Sequence, residues 1–219
     1  MSAPLYVRQL QLGPMQNFVY LVGPGQGEEA VVVDPAWDVL AIEAALAEDG
    51  RKLTGAFVTH SHGDHINGLP ELLSRHDVPV YCQQEELDFS AALQAHRGAM
   101  RPLKHGDTFQ VGALEVNALH TPGHTPGSQC LHVADALISG DTLFVNGCGR
   151  CDLKGGDPER MYETIQSVLL KLPERTCLLP GHDYGHVPRA PLEEVKPHNP
   201  YLNFTSREAF VKFRMRPRT

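Results

Sequence analysis

Thr59-His60-Ser61-His62-Gly63-Asp64-His65 puts three imidazoles and a carboxylate within six consecutive positions, directly after an apolar run. Ordinary core packing does not ask for that density of polar ligands. Imidazole nitrogen with carboxylate oxygen suits zinc, iron or manganese. The preceding Leu53 to Val58 reads as a buried strand, so the motif falls in a loop at a strand's carboxyl end. Open sheets usually place ligands there.

Three later segments repeat the arrangement. His124 lies in Thr121-Pro122-Gly123-His124, after the strand-like Leu114 to Leu119. Asp141 lies in Ser139-Gly140-Asp141-Thr142, after Ala136 to Ile138. His182 lies in Pro180-Gly181-His182-Asp183-Tyr184, after Thr176 to Leu179. The candidate ligands are therefore His60, His62, Asp64, His65, His124, Asp141 and His182, seven in all. A tetrahedral catalytic zinc takes three protein ligands and a water. Seven ligands fit two metals with a bridging carboxylate. A lone histidine is more often a satisfied core or turn residue, but four blocks of them are not explained that way. His120, four residues before His124, is expected to support the site from behind the ligands or to be structural, not to ligate.

In order and spacing these residues resemble the metallo-β-lactamase superfamily signature, H-x-H-x-D-H … H … D … H, and the resemblance runs over nearly the whole chain. It implies an α/β fold, the four-layer αββα sandwich, with two divalent metal ions at one edge. Zinc is the first expectation and iron or manganese the alternatives. It further implies that His60, His62 and His124 hold one metal, that Asp64, His65 and His182 hold the other, and that Asp141 bridges. Asp64 is the implied catalytic residue, accepting a hydrogen bond from the attacking hydroxide. The reaction class is metal-assisted hydrolysis, unless the metal is redox-active iron.

Two subfamilies are close. Gly140 to Arg150 and Gly181-His182-Asp183-Tyr184 resemble blocks of glyoxalase II, an acyl-glutathione thioesterase. Arg150 stands where that family has a glutathione-contacting lysine, and Tyr184 stands at a substrate-contacting tyrosine. Only 37 residues follow His182, so the long helical C-terminal domain of glyoxalase II is expected to be truncated at best. Gly149-Arg150-Cys151-Asp152, Asn199-Pro200-Tyr201-Leu202 and Glu208-Ala209-Phe210-Val211 are similar to segments of the iron-dependent persulfide dioxygenases. There Tyr201 replaces an arginine that contacts glutathione, which removes a bidentate carboxylate partner. The expected function is hydrolysis of a small thioester or ester, most simply an acyl-glutathione-type thioester, with Arg150, Tyr184 and Tyr201 binding substrate. The alternatives are a persulfide dioxygenase, a lactonase-like hydrolase and a non-catalytic metal-binding scaffold.

Composition narrows the partners. A net charge of −7 does not suggest a nucleic-acid groove. No apolar run reaches the roughly 18 residues of a membrane span. Met1-Ser2-Ala3-Pro4-Leu5 lacks the pattern of a signal peptide, so a cytoplasmic protein with an odd count of five cysteines is expected, without a disulfide framework. Cys148 and Cys151 have the C-x-x-C spacing of a redox pair or half a zinc site, but no second pair exists. The plainer expectation is two loop thiols near the active site.

No linker or low-complexity segment interrupts the chain, so residues 1–219 are expected to form one domain with a short helical extension from about 190. Strands are expected at Leu5–Leu12, Asn17–Val22, Ala30–Val33 and Val78–Cys82, with a hairpin of Ser128–Val133 and Ala136–Ile138. Helices are expected from Asp38 to Glu48, from about Asn67 to His76, from Glu85 to Arg97, and from Asp157-Pro158-Glu159 to about Lys171. Thr205 to Glu208 fits a capping box opening a terminal helix. The basic tail Arg214 to Thr219 is expected to be a frayed, solvated end.

Overall fold

The computed structural model describes residues 4–217. The Met1–Ala3 part of the leader expectation and the last two residues of the basic tail lie outside the described residues. Two sheets of six strands face each other. The first takes its strands in chain order: β1 (Leu5–Leu12), β2 (Asn17–Pro24), β3 (Glu29–Val33), β4 (Lys52–Phe57), β5 (Val80–Gln83) and β6 (Met100–Leu103). The second holds β7 (Thr108–Val111), β8 (Leu114–His120), β9 (Gln129–Val133), β10 (Ala136–Gly140), β13 (Cys177–Pro180) and β14 (Ala190–Pro191). Their order across this sheet is β14-β13-β10-β9-β8-β7. A small ribbon, β11 (Leu143–Phe144) with β12 (Gly147–Cys148), stands beside it.

Side-chain alternation builds three separate cores, which is what makes four layers. In β2, Phe18, Tyr20 and Val22 point between the sheets, where they meet Val116, Leu131 and Ile138. Val19 and Leu21 point the other way, onto α1 (Val39–Glu48) and α3 (Leu69–Arg75) through Ile42, Leu69 and Leu72. Residues of one parity line one face of a strand, so a strand buried on both faces serves two cores. The outer face of the second sheet, through Leu137 and Leu178, packs on Met161 and Ile165 of α6 (Pro158–Ser167). Val195 of α7 (Leu192–His198) and Phe210 of α8 (Arg207–Arg214) complete that core. This is the αββα sandwich. The helical residues after 190 belong to its outer layer and touch the second sheet's core.

The expected caps form at both long helices. Asp38 accepts from Ala41 N, and Asp157 accepts from Glu159 N and Arg160 N ahead of Pro158. Three expectations are corrected. Glu85–Arg97 is not one helix: Ser90 takes an extended backbone between α4 (Gln84–Phe89) and α5 (Ala91–Gln94), and its side chain caps the second piece. The terminal helix is capped one residue later than the box predicts, because Ser206, not Thr205, accepts from Ala209 N. Arg214 is not part of a solvated tail but is buried, 7% exposed. Strand β6 was not foreseen, since Met100-Arg101-Pro102-Leu103 carries little β-forming sequence beyond its buried ends.

No helix among the described residues is long and apolar enough to cross a membrane.

Candidate metal centre

Strand direction brings the ligand loops together. β8 is antiparallel to β9, β9 to β10, and β10 is parallel to β13. β8, β10 and β13 therefore run the same way and end at one edge, where His124, Asp141 and His182 follow them. The loop after β4 reaches that edge from the other sheet. Gln129 ties the two sheets there, its backbone N donating to Thr59 O at 2.9 Å and its Nε2 to Val58 O at 2.8 Å. The pairing of β10 with β13 shifts register between Ile138 and Gly140, and its last pair, Gly140 with Pro180, falls just before Asp141. Gly140 has φ of +48° and Gly181 has no room for a Cβ, which would lie 2.6 Å from Asp141 Oδ1. Both positions need glycine.

Among the described residues three groups of ligand-type side chains converge, and in the one formed by Asp34, His60 and His65 the carboxylate is taken up by His65 Nδ1, which leaves two ligand triads. His60, His62 and His124 have ligand atoms within 4.8 Å of one another, and so do Asp64, His65 and His182. Asp141 lies between them. Its Oδ1 is 3.3 Å from both His65 Nε2 and His182 Nε2, and its Oδ2 is 3.5 Å from His124 Nε2.

The second layer of hydrogen bonds fixes which nitrogen of each ring is available. His124 Nδ1 donates to Arg150 O at 2.7 Å, and His182 Nδ1 to Met15 O at 2.9 Å. His65 Nδ1 donates to Asp34 Oδ2 at 2.9 Å. The Thr59 hydroxyl gives its proton to Asp34 Oδ2, so His60 Nδ1 donates to Thr59 Oγ1 at 3.1 Å. Four rings thus spend their Nδ1–H on the protein and turn Nε2 to the centre, the tautomer of a metal-bound histidine. His60 Nε2, His124 Nε2 and Asp141 Oδ1 are buried without a hydrogen-bond partner. Buried polar atoms are almost always satisfied, so three orphans converging on one point fit divalent cations.

The electrostatics agree. Burial holds His60 well below the ordinary histidine range and His124 down at about 4, so both stay neutral. At His182, burial is outweighed by the Asp141 and Asp64 carboxylates, 3.3 and 3.4 Å from its Nε2, which raise it to about 9. His65 is raised as well: burial opposes, and the Asp141 and Asp34 carboxylates prevail. Their Nε2 atoms are 3.1 Å apart, so this pair of rings holds a proton where two carboxylates want a cation. Asp64 stays ionised despite partial burial, because His182, His65 and Asn17 all favour its charge.

Three residues that shape the site carry no motif signal. Asp34 adopts φ of +54° and accepts from Thr59 N, Thr59 Oγ1 and His65 Nδ1. Asn17 donates to Asp64 O and Oδ2, each at 3.0 Å, and accepts from Trp37 Nε1. Glu86, fully buried, accepts from Ser61 N and Oγ on one oxygen and from Thr125 Oγ1 and Gly127 N on the other. It thereby fastens the His60–His65 loop to the His124 loop. Their partners are distant in sequence, so nothing local marks them.

The centre opens into a cleft of about 620 Å³. Arg150, Tyr184 and Tyr201, the residues expected to bind substrate, all line it, and so do Cys148 and Arg214. Tyr184 stacks on the His182 ring, centroids 4.5 Å apart and planes 5° from parallel. Arg150 is also in a bidentate pair with Asp152, at 3.0 and 2.7 Å. Asn199 Nδ2 bonds Phe144 O and Gly147 O, holding the β11–β12 ribbon in the cleft wall. All five cysteines are thiols, and burial raises Cys151 to about 11, which does not favour a reactive thiolate.

With that geometry in place, comparison with known proteins is direct. The profile of the Metallo-beta-lactamase superfamily matches residues 12–182. The chain is 33% identical over 200 residues to a probable polyketide biosynthesis zinc-dependent hydrolase, BaeB, of Bacillus velezensis, covering 91% of this chain and 88% of that one. It is 38% identical over 195 residues to a hydroxyacylglutathione hydrolase of Alkalilimnicola ehrlichii, covering 88% and 72%. It is 32% identical over 214 residues to the mitochondrial persulfide dioxygenase ETHE1 of Homo sapiens, covering 96% and 81%. The crystal structure of ETHE1 from Myxococcus xanthus superposes with a TM-score of 0.86 at 33% identity, covering 97% of this chain and 92% of that one.

Proposed function

Because the chain belongs to the metallo-β-lactamase superfamily, we propose that it is a two-metal hydrolase that cleaves a small thioester, most simply one of acyl-glutathione type. Zinc is the proposed metal. The observation that carries this reading is the pair of triads sharing Asp141 at the floor of an open cleft. His60, His62 and His124 would hold one cation and Asp64, His65 and His182 the other.

When bound, paired divalent cations lower the pKa of water and polarise the carbonyl under attack. The protein supplies the rest. Asn17 fixes Asp64 at 3.0 Å, and the ionised carboxylate lines the cleft where a water proton can be accepted. Glu86 and Asp34 keep the ligand loops from drifting, so the centre is formed before substrate arrives. Phe144 and Tyr184 form an apolar wall beside His182 that can seat an acyl chain. Hydrolysis breaks the C–S bond and makes a C–O bond, with the thiol leaving as its protonated form or as thiolate. The thiols of all five cysteines suit a reducing compartment, and the cytoplasm is the proposed location.

The second reading is a persulfide dioxygenase, favoured by the similarity to ETHE1 over 96% of the chain. The two part on oxygen. Zinc-loaded protein should cleave lactoylglutathione under anaerobic conditions, with elemental analysis giving the metal in the native protein. Oxygen uptake with glutathione persulfide by the iron form, and no cleavage of any acyl thioester, would reverse the choice.

A further inference from the structure

Arg214 is a buried cation with no carboxylate of its own. Several more exposed arginines pair with acids, Arg8 with Glu48 and Asp49, Arg75 with Glu43, Arg150 with Asp152 and Arg207 with Glu159, while Arg51 and Arg101 bond backbone carbonyls beside solvent. Arg214 is 7% exposed and forms no such pair among the described residues. Its Nε donates to Gly149 O at 2.8 Å, and its guanidinium carbon lies 5.8 Å from the centre of the Tyr201 ring. The charged groups it feels most are the weak acids Cys148, Tyr201 and Cys151, not an aspartate or glutamate. Asp152 lies near enough to feel Arg214, but both its oxygens are taken by Arg150. A charge that is buried in the folded chain is ordinarily paired. Here the structure leaves the pairing to something that enters.

The place where it would enter is open. Arg214 lines the same cleft as His62, Asp64 and Asp141. It also lines a smaller cavity of about 230 Å³ with Arg150, Asp152 and Arg216. The two cavities share Arg150 and Arg214, so the cleft runs from the ligand triads to a cationic end. That end is local, since the chain as a whole carries a net charge of −7.

We propose that Arg214 is the receptor for an anionic group, carboxylate or phosphate, on the substrate portion that carries the leaving thiol. The fork of a guanidinium accepts either oxyanion in two parallel hydrogen bonds, and the Gly149 bond and the Tyr201 ring hold that fork in place. The assignment rests on the hydrolase reading only in calling the anion part of the leaving group.

Calorimetric titration of the zinc-loaded protein with non-hydrolysable probes tests it without turnover. S-methylglutathione presents carboxylates, its diethyl ester presents none, and desulfo-coenzyme A presents phosphates. We expect one of the two anionic probes to bind, which identifies the oxyanion. If it is S-methylglutathione, the diester should bind at least about tenfold more weakly. R214M should weaken the anionic probe by about tenfold or more, and R214K should recover part of the loss with a shallower effect. Equal binding of diacid and diester, binding of the anionic probe by R214M within about twofold of wild type, or no binding of either anionic probe would each overturn the proposal. Should R214M not fold, R150M decides: anion binding kept in R150M assigns it to Arg214, and anion binding abolished there moves the receptor to Arg150 and overturns the proposal. Anionic probes that bind a protein cleaving no thioester would remove the hydrolase reading and leave the receptor standing. Thioester cleavage with no anion dependence would do the reverse.

Discussion

Asp34 Oδ2 lies 2.9 Å from His65 Nδ1, and both residues are buried to within a few per cent of completely. This contact sets the tautomer of a candidate metal ligand from 31 residues away. A carboxylate behind a ligating imidazole raises its basicity and fixes its plane, and loss of such partners typically costs about 10–100-fold in metal affinity. Asp34→Asn should therefore weaken the second metal by that factor, read by competition with a chromophoric chelator. Asparagine tolerates the φ of +54° at this position, so the fold should survive. Asp34→Ala should lose about 1–2 kcal/mol more stability from backbone strain and the unsatisfied Thr59 donors. Unchanged affinity in both variants would show that His65 is oriented without Asp34.

Glu86 is the point at which two ligand loops depend on one side chain. It accepts four hydrogen bonds while fully buried. Glu86→Gln places an NH2 group against at least one backbone N–H, Ser61 or Gly127, so a donor faces a donor. We expect a loss of about 2–4 kcal/mol in urea unfolding, together with slower or weaker metal uptake because His60, His62 and His124 no longer share a frame. A variant with wild-type stability and metal content would mean that the loops are held elsewhere.

The sequence carried most of the scaffold, and the seven candidate ligands it offers are the side chains that the fold gathers at one edge. Continuous apolar runs such as Phe18-Val19-Tyr20-Leu21-Val22 dictate strands buried on both faces, and Asp-Pro-Glu at 157–159 dictates a helix start. The ligands are legible because each sits in a glycine- or proline-punctuated turn directly after such a strand. Asp34, Asn17 and Glu86 were not legible, because their meaning lies in contacts across 25 to 47 positions. Asp34 reads locally as a strand end, and Glu86 as one acid among several on a helix. Arg214 was misread for a related reason. A basic run near a terminus looks solvated, and only the packing of α8 against α6 and the Tyr201 ring draws one of its arginines inward. The break at Ser90 is likewise tertiary, since Ser90 is a capping residue with enough helical sequence on both sides to hide it.

His62 is the candidate ligand whose role separates most cleanly from folding. It is only partly buried and faces the cleft, while His60 and His124 are enclosed. His62→Ala should leave the melting temperature of the metal-free protein within about 2 °C, remove at least one metal equivalent, and abolish most turnover. Mass spectrometry for metal content beside a thioesterase assay checks this. Full metal content with full turnover would sink the assignment of the first triad.

The metal-free protein should have a stability maximum near neutral pH with two limbs of known origin. His182 sits at about 9 in the folded chain, above the ordinary histidine value of about 6.5. Its folded state binds more protons than the unfolded state between those values. The stability it contributes is fully present below about pH 6.5 and is lost as pH rises through about 9. His124 works in the opposite direction. Burial holds it at about 4, so below about pH 6.5 the unfolded chain takes up a proton that the fold refuses, and stability falls as pH drops toward 4. Thermal unfolding of the chelator-treated protein from pH 4 to 10 should therefore peak near pH 6.5. Adding zinc should raise and flatten the basic limb, because the cation takes the place of the proton shared between His182 and His65 and facing Asp64 and Asp141. Zinc uptake at pH 7 should also release protons into a weakly buffered solution. A metal-free protein whose melting temperature rises steadily from pH 7 to pH 9, with no proton release on zinc addition, would show that His182 does not carry the proton this arrangement assigns to it.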